Sequence, residues 1–345
     1  MGNKHKHYDI AIVGATGVVG NVLIQLLEER NFPVRHLYLL ASEQSLGLTL
    51  KFKNTKIEIV DLAKFDFSKV QFALFSAGAH ISEAYVPIAV DAGCVVIDNT
   101  SQFRYQHDVP LVVPEVNPEA LMEWKNTRII ANPNCSTIQM VVALKPIYDA
   151  VGIERVNVAT YQSVSGSGRK AIMELLKQSE VILQGNHDHI KSEVYPHQIA
   201  FNILPHIDAF QENGYTREEM KMIWETQKIF ADNHILVNPT TVRVPVFFGH
   251  SEAVHIETHD KISAKDARDL LEKANGVVVM DDGFHNTYPT AAGDAEGQDA
   301  VFVGRIREDI SHPRGLNMWI VADNIRKGAA LNSIQIAELL INDYF

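Results

Sequence analysis

The chain has 345 residues, more than one hydrophobic core ordinarily serves, so we expect two domains. Its net charge of −11 and the lack of any basic run argue against nucleic acid as a partner. It has only two cysteines, no apolar signal-peptide core and no run of about 18 apolar residues. These features predict a soluble, cytoplasmic protein without a membrane partner.

Strand-like apolar runs alternate with helical runs through the first 134 residues. The predicted strands are 8–14, 34–40, 71–75, 94–97, 111–113 and 128–131, with helical runs at 22–27 and 82–91. Alternation of this kind is typical of a parallel, doubly wound sheet. We therefore predict an α/β domain of the Rossmann type.

After Asn134 the predicted strands become longer and more alternating. They are 155–165, 240–248, 252–258, 277–280 and 301–306, with helices at 170–183, 217–230 and 264–274. This pattern predicts an α+β domain on a mostly antiparallel or mixed sheet. An amphipathic helix at about 324–342 could return to the first domain. We expect a dinucleotide domain of residues 1–134 and 324–345, and a catalytic, substrate-binding and dimerisation domain of residues 135–323.

Three glycines, Gly14, Gly17 and Gly20, lie between the first strand and a helix. Glycines let the backbone approach a pyrophosphate, whose charge a helix N-terminus favours. The spacing is G-x-x-G-x-x-G rather than G-x-G-x-x-G, and the alternative is a tight turn without a ligand. The flanking strand and helix favour a dinucleotide, with candidate contacts at Gly14, Thr16, Gly17, Val18 and Val19.

The end of the second predicted strand is where NAD-binding proteins usually carry an acidic residue for the ribose. Here Ser42 and Ser45 could donate to a 2′-phosphate, whereas Glu43 would oppose one if it faced inward. An exposed polar loop is the alternative. The pattern favours NADP, with NAD possible.

Cys135 follows Asn132-Pro-Asn134 and precedes a helical run at 136–144. At a helix N-terminus the dipole lowers a thiol pKa from roughly 8.5 and favours the nucleophilic thiolate. Cys94, within an apolar run, has the pattern of a small buried side chain. We therefore predict that Cys135 is the reactive cysteine.

Nine motifs, in order from residue 14 to residue 328, together resemble the aspartate-semialdehyde dehydrogenases. They are GATGVVG (14–20), DNTSQFR (98–104), VPEVN (113–117), NPNCST (132–137), YQSVSGSG (161–168), EMK (219–221), RVPV (243–246), GHSE (249–252) and DNIRKG (323–328). The sequences of these motifs resemble those of the bacterial branch typified by Gram-positive enzymes. The resemblance covers nearly the whole chain.

The resemblance implies reduction of L-aspartyl 4-phosphate to aspartate semialdehyde, in the aspartate pathway to lysine and diaminopimelate, methionine, threonine and isoleucine. Cys135 matches the nucleophile that forms an acyl-thioester. His250 matches the acid–base residue, which would accept the thiol proton and later protonate the alkoxide. Gln162 matches a residue that positions substrate, and Asn134 could orient the same intermediate.

Two anions must also be held, the substrate carboxylate and the phosphate, and arginine recognises both in a bidentate manner. The resemblance makes Arg243 the carboxylate ligand and Arg104 and Lys221 the phosphate ligands. Glu218, three residues before Lys221 on a helix, would orient ligands; a surface salt bridge is the alternative for that pair. The cofactor-side matches near the nicotinamide are Ser165, Gly166 and Asn324.

Two departures from simple patterns stand out. Related sequences commonly carry arginine at the position of Gln44, beside the adenosine 2′-phosphate, so Gln44 weakens the NADP prediction and leaves dual use open. Arg243 and His250 are seven residues apart, so an unbroken strand would point them in opposite directions. Pro245 and Gly249 predict a bulge or break that restores their convergence.

Several other functions were weighed. Glyceraldehyde-phosphate dehydrogenase and N-acetyl-glutamyl-phosphate reductase share the thioester chemistry but lack the arrangement around Arg104 and Lys221. A catalytically silent relative acting as an interaction scaffold would not be expected to keep the four active-site matches. A metal site at His187, His189 and His197 lacks a carboxylate or cysteine framework, so we predict no metal. The family implies a homodimer or homotetramer.

Overall fold

The computed structural model describes residues 6–186, 190–282 and 286–345. The chain divides into two compact units. The first runs to Asn134 and resumes at Ala329–Phe345, and the second is Cys135–Gly328. Among the described residues, no helix has the length and apolar character needed to span a bilayer.

The first unit is built on a seven-stranded sheet in the order β3-β4-β2-β1-β5-β6-β7. All neighbours are parallel except the hairpin of β3 and β4. The strands are β1 (Tyr8–Val13), β2 (Val34–Ala41), β3 (Thr49–Phe52), β4 (Thr55–Asp61), β5 (Phe72–Phe75), β6 (Val95–Asp98) and β7 (Ile129–Ala131), and the helices are α1 (Val18–Glu29), α2 (Ala79–Asp91) and α3 (Trp124–Thr127). β1 and β5 are buried along their whole length, which explains their continuous apolar sequences.

Two sequence predictions in this unit were incomplete. The hairpin of β3 and β4 was missed because most of its side chains are exposed or half-exposed, so it has no apolar run. The predicted strand 111–113 is only an isolated bridge between Leu111 and Ala131. The side chain of Asn117 hydrogen-bonds to the backbone of this segment instead. Asn117 Oδ1 accepts from Val113 N, and Asn117 Nδ2 donates to Leu111 O, at 2.9 Å each.

The second unit is built on a six-stranded mixed sheet in the order β11-β12-β13-β10-β8-β9, in agreement with the expected fold class. Its helices are α4 (Cys135–Val151), α5 (Arg169–Leu183), α6 (Arg217–Phe230) and α7 (Ala264–Leu271). Its strands are β8 (Ile153–Gln162), β9 (Leu236–Arg243), β10 (His250–Thr258), β11 (Val277–Val279), β12 (Val301–Glu308) and β13 (Gly315–Ala322). The sequence had predicted neither β13 nor the early end of β9.

The sheet of the second unit has one covered and one open face. Helix α4 packs against β8, β10, β12 and β13. Along β8, Val156, Val158 and Thr160 are buried, whereas the alternating residues Asn157, Ala159 and Tyr161 are half-exposed. The open face therefore carries side chains that are left accessible by the described helices of this unit.

The C-terminal helix α8 (Leu331–Asp343) belongs to the first unit, where its apolar residues join the core formed with α1. The returning segment begins at Ala329, later than the predicted residue 324. Asn324 remains with the second unit because its amide oxygen accepts hydrogen bonds from Ser163 Oγ at 3.0 Å and Gly249 N at 2.9 Å.

Candidate active site

The ends of three neighbouring strands bring the central candidates of the second unit together. β8 lies between β9 and β10, and Gln162 at its end is the register partner of Arg243. β8 and β9 are parallel, so their last residues meet at one edge, where antiparallel β10 begins with His250. The sheet topology thus collects three residues that are up to 88 positions apart in sequence.

The expected irregularity between Arg243 and His250 is present, but it is a change of strand rather than a bulge. β9 ends at Arg243, and the chain crosses to the other side of β8 before β10 starts. Gly249 turns the chain with a φ of 83°, a conformation that favours glycine. Alternation along one strand therefore does not apply to this pair.

His250 is completely buried, and its ring orientation is defined by Ser163. The backbone N–H of Ser163 donates to His250 Nδ1 at 3.1 Å. A backbone N–H can only donate, so Nδ1 is unprotonated and the neutral ring carries its proton on Nε2. Burial, followed by the nearby positive charge of Arg243, lowers the pKa of His250 to about 3. The ring is therefore neutral at physiological pH.

Gln162 links His250 to an acidic side chain. Its Nε2 donates to Glu218 Oε1 at 3.1 Å and lies 3.5 Å from His250 Nε2, while its Oε1 accepts from Thr160 Oγ1 at 3.0 Å. With the His250 proton on Nε2, the 3.5 Å contact joins two donors and is too long for a good hydrogen bond. Both donors are thus placed where a single oxygen acceptor could satisfy them.

Arg243 is 4% exposed and its guanidinium is closely surrounded. Its Nη1 donates to Ser163 O at 2.7 Å, whereas its Nε has no hydrogen-bond partner among the described residues. A Cβ added to Gly166 would lie 3.1 Å from Arg243 Nη1 and 3.5 Å from His250 Nε2. Gly166 therefore gives the backbone its close approach to both side chains.

Glu218 and Lys221 form a largely buried ion pair on α6, rather than the surface salt bridge weighed from sequence. Lys221 Nζ donates to Glu218 Oε2 at 2.9 Å and to Asp208 Oδ2 at 2.8 Å. Burial alone would lower the pKa of Lys221, but the two carboxylates outweigh it and raise the pKa. The neighbouring Glu219 forms a capping box with Thr216 at the start of the helix.

Cys135 is the first residue of α4 and is partly accessible. A helix N-terminus favours a thiolate there. The backbone of Gly328 lies against it, since an added Cβ would be 2.8 Å from Cys135 Cβ. Cys94 differs: it is completely buried, and burial raises its pKa to about 12. Only the environment of Cys135 suits a nucleophile.

Asn324 and Ser165, predicted on the cofactor side, take part in a buried hydrogen-bond network. Asn324 Nδ2 donates to Ser165 Oγ at 3.0 Å, and Ser163 Oγ lies 3.1 Å from Ser165 Oγ. Sequence reasoning missed Ser163, although its backbone and side chain contact His250, Arg243 and Asn324. Its role depends mainly on backbone atoms, which residue type does not reveal.

Half of the cofactor candidates of the first unit line a cavity of about 570 Å³. Gly14, Thr16, Gly17, Ser42 and Glu43 line it, as do residues of β4 and α2. A Cβ on Gly20 would approach Gly14 O to 2.3 Å, so this glycine is needed for the tight strand–helix connection. The cavity, the glycines and the helix N-terminus fit a dinucleotide.

Four of the predicted cofactor contacts are not among the residues that line this cavity. They are Val18, Val19, Gln44 and Ser45. Val19 instead packs against the hydrophobic core, as its position within α1 requires. Gln44 lies in a short 3₁₀ turn, Glu43–Ser45, which directs Glu43 into the lining and leaves Gln44 exposed.

Arg104 and Asn134 both lie buried in the first unit, at 5% and 6% exposure. Arg104 Nη2 donates to Asn99 O at 2.8 Å. The loop before it depends on Asp98, whose Oδ1 accepts from Ser82 Oγ and from Thr100 N at 2.9 Å each. Asn134 immediately precedes the helix that Cys135 begins.

The metal alternative gains no support from the described parts of the chain. His187 and His189 lie outside those residues. Over the ranges 6–186, 190–282 and 286–345, no group of three or more histidine, cysteine or carboxylate side chains could hold a metal ion.

The two units match two family models. Residues 9–124 match the NAD binding domain of semialdehyde dehydrogenases, and residues 144–327 match the semialdehyde dehydrogenase dimerisation domain. Together with a dinucleotide cavity and a cysteine at a helix N-terminus, these matches define the class as semialdehyde dehydrogenases.

Curated relatives identify the particular family. The chain is 59% identical to aspartate-semialdehyde dehydrogenase of Shewanella violacea, covering 99% of each chain, and 62% identical to that of Legionella pneumophila, covering 98% and 97%. It belongs to the aspartate-semialdehyde dehydrogenase family. The Bacillus subtilis enzyme is 49% identical over 96% of both chains. The assignment to a Gram-positive-like branch was wrong, because Gram-negative relatives are more similar.

Solved structures give the same result. Aspartate semialdehyde dehydrogenase II of Vibrio cholerae, complexed with ASA, superposes with a TM-score of 0.96 at 57% identity, covering 99% of this chain and all of the other. The Candida albicans enzyme, solved with NADP, has a TM-score of 0.76 at 25% identity, covering 98% and 99%.

Proposed function

We propose that the chain reduces L-aspartyl 4-phosphate to L-aspartate 4-semialdehyde and releases phosphate, using NADP, in aspartate-derived amino-acid biosynthesis. The observation that carries this proposal is the convergence of Gln162, Arg243 and His250 at three strand ends, in a unit that also presents Cys135 at a helix N-terminus. The names of the curated relatives and the liganded Vibrio cholerae structure support the substrate. Neither Cys94 nor Cys135 is in a disulfide, which is consistent with a cytoplasmic location.

The cofactor proposal rests on the cavity of the first unit. Gly14, Thr16 and Gly17 would hold the pyrophosphate, and Ser42 the adenosine ribose. When bound, the nicotinamide supplies the hydride. NADP is supported by the Candida albicans complex, but Glu43 in the lining and Gln44 in place of a cation weaken recognition of a 2′-phosphate. NAD therefore remains a second cofactor to test.

Cys135 is the proposed nucleophile. Its sulfur attacks the acyl phosphate carbon, the bond from carbon to the phosphate oxygen breaks, and phosphate leaves with the bonding pair. The product is an acyl-thioester, so one difficult displacement becomes two easier steps. Asn134, the residue before it, is proposed to orient this intermediate.

We propose a narrower role for His250 than that of the acid–base residue expected from sequence. Nδ1 is occupied by the Ser163 N–H, and the proton resides on Nε2. We therefore propose that Cys135 loses its proton to solvent and attacks as the thiolate, and that His250 does not accept this proton. Its Nε2–H, with the amide of Gln162, stabilises the oxygen that gains negative charge at the reacting carbon.

Separate cations are proposed for the two anionic groups. Arg243, with its free Nε donor, binds the α-carboxylate, and Arg104 and Lys221 bind phosphate. Lys221 also contacts Glu218 and Asp208, which reduces the net positive charge that it offers to phosphate. Ser165 and Gly166 are proposed to border the nicotinamide, with Asn324 holding them in position.

The chain is also proposed to form a homodimer, or a homotetramer built from dimers. The match to a dimerisation domain supports self-association. The open sheet face offers the surface: Ala159, Ala253 and Trp319 are cross-strand neighbours on it, beside an apolar cavity of about 560 Å³. A second copy would cover these side chains.

The activity can be tested in the oxidative direction. Purified protein is mixed with aspartate semialdehyde and phosphate, separately with NADP and NAD, and reduced cofactor is followed by absorbance. We expect phosphate-dependent turnover that Cys135→Ser abolishes. A folded wild type without turnover under either condition would instead favour the scaffold alternative.

A further inference from the structure

Residues 191–204 lie between α5 and α6. This segment approaches the guanidinium of Arg243 through the ring of Tyr195. The Arg243 guanidinium carbon lies 5.9 Å from the centroid of Tyr195, within the range of a cation–π interaction. Tyr195 is 9% exposed, so this contact is shielded from water. Burial raises the pKa of the Tyr195 phenol, which keeps it neutral beside the arginine.

Two buried side chains of α5 hold this segment. Glu174 Oε2 accepts from the backbone N–H groups of Glu193 at 2.8 Å and of Val194, and Glu174 Oε1 accepts from Tyr195 N at 3.4 Å. One carboxylate thus binds three successive amides and fixes the backbone of Tyr195. Burial of an unpaired carboxylate is costly, so these amides also explain why a glutamate is tolerated there.

Gln178, one helical turn further on, holds the next part of the segment. Its Oε1 accepts from Ile199 N at 2.9 Å and from Ala200 N at 3.1 Å, and its Nε2 donates to Lys191 O at 2.8 Å. Apolar packing accompanies these bonds, since Leu175, Tyr195, Ile199, Ala200 and Leu204 belong to one buried cluster.

The segment then pairs directly with the backbone of Arg243. Leu204 N donates to Arg243 O at 3.0 Å, and Arg243 N donates to Leu204 O at 2.8 Å. The backbone of Arg243 is therefore held by Leu204 and its Nη1 by Ser163 O, while the Tyr195 ring lies 5.9 Å from its guanidinium carbon. The unpartnered Nε leaves a donor for a ligand.

We propose that Tyr195 is a specificity-determining positioning residue, which orients Arg243 for the α-carboxylate of the substrate, and that Glu174 holds Tyr195 in place. This inference rests on the proposed role of Arg243. The ring restricts the guanidinium plane before substrate arrives, so less side-chain freedom is lost on binding. Tyr195 itself transfers no proton and need not touch the reacting carbon.

The test compares Tyr195→Leu, Tyr195→Phe and Glu174→Gln with wild type, and uses Glu180→Gln, an exposed position on the same helix, as the control. In Tyr195→Leu we expect the KM for aspartate semialdehyde to rise about 2- to 30-fold. The kcat and the KM for phosphate should change little, because carboxylate binding is equal in ground and transition states. Tyr195→Phe should restore the wild-type KM, and Glu174→Gln should resemble Tyr195→Leu.

A second substrate distinguishes a role of Tyr195 in positioning Arg243 from a general loss of active-site structure. With 3-aminopropanal, which lacks the carboxylate, kcat/KM of Tyr195→Leu should equal that of wild type. Equal losses on both aldehydes, or an unchanged KM in Tyr195→Leu while Arg243→Lys raises it, would overturn the inference. Wild type without any turnover would instead refute the proposed function.

The inference also has a readout that needs no turnover. The Arg243 Nε–H signal, assigned in ¹⁵N spectra by its loss in Arg243→Lys, should exchange slowly with water in wild type and in Tyr195→Phe. It should exchange faster in Tyr195→Leu. Equal exchange in all three proteins would contradict a positioning role for the ring.

Discussion

At the residue scale, the ionisation of His250 follows from one backbone hydrogen bond and from burial. The Ser163 N–H occupies Nδ1, and protonating the ring would require breaking this bond inside the protein. The sequence could identify His250 through its motif, but not its tautomer, because that depends on a backbone group 87 positions away. The tautomer therefore supports the donor role that we propose for His250, whereas the sequence predicted an acid–base role.

This neutral ring predicts a pH dependence of stability. Unfolded histidine binds a proton below about pH 6.5, whereas the buried ring stays neutral down to about pH 3. The unfolded state therefore binds more protons as pH falls through this window, and the stability contributed is lost with falling pH. Urea unfolding at pH 8 and pH 5 should show a larger loss for wild type than for His250→Asn. An equal loss would mean that the ring is protonated in the folded protein.

A second residue-scale prediction concerns cofactor choice at Gln44. Replacing Gln44 with Arg adds a charge-assisted contact worth about 1.5–3 kcal/mol in good geometry, or roughly 10- to 150-fold in NADP affinity. NAD affinity should barely change. Titrations of both cofactors measure this difference, with Gln25→Arg, which adds the same charge at an exposed position outside the cavity lining, as the control. If Gln44→Arg binds NADP no more tightly than wild type, the Glu43–Ser45 turn does not recognise the 2′-phosphate of NADP.

At the scale of elements, the site depends on where strands end rather than on their side-chain alternation. Helix α6 was predicted with the bounds that it has, 217–230, because its apolar residues follow helical spacing. The end of β9 at Arg243 was not, because Thr240–Phe248 remains strand-like in composition. The chain leaves the strand there only because β10 pairs on the other side of β8.

The turn before β10 gives the element-scale prediction. Gly249 and Gly214 both have positive φ, at 83° and 84°, but a Cβ on Gly249 would lie 2.9 Å from Ala291 Cβ, whereas Gly214 has open space. Each alanine substitution should cost about 1–2 kcal/mol of backbone strain. Gly249→Ala should lose more stability and also activity, because the clash displaces His250. Thermal unfolding and kcat measure both effects; equal losses in the two variants would exclude the clash.

At the scale of the whole molecule, the two-unit organisation could be predicted from the change in pattern at Asn134. The return of the chain was placed too early, at 324 instead of Ala329. The amphipathic pattern extends across both positions, whereas hydrogen bonds of Asp323, Asn324 and Arg326 keep this segment with the second unit. Amino-acid composition does not indicate which distant residues hydrogen-bond to Asn324.

Self-association can be tested on the open sheet face. Ala159→Arg places a charge in the middle of β8, beside Ala253, where burial against a second copy would leave it unpaired. Sedimentation should show a dimer or larger species for wild type and a shift towards monomer for Ala159→Arg. Glu180→Arg, on the exposed side of α5, should sediment as wild type does. Unchanged sedimentation of Ala159→Arg would place the interface elsewhere.

The most direct test of the central claim is mass spectrometry of the thioester. Wild type is incubated with aspartate semialdehyde and oxidised cofactor in the absence of phosphate, so that the acyl-enzyme cannot be discharged by phosphate. Peptide mapping should find the acyl adduct on the Cys135 peptide, with none on Cys94 and none in Cys135→Ser. An adduct on Cys94, or full turnover by Cys135→Ser, would contradict the account.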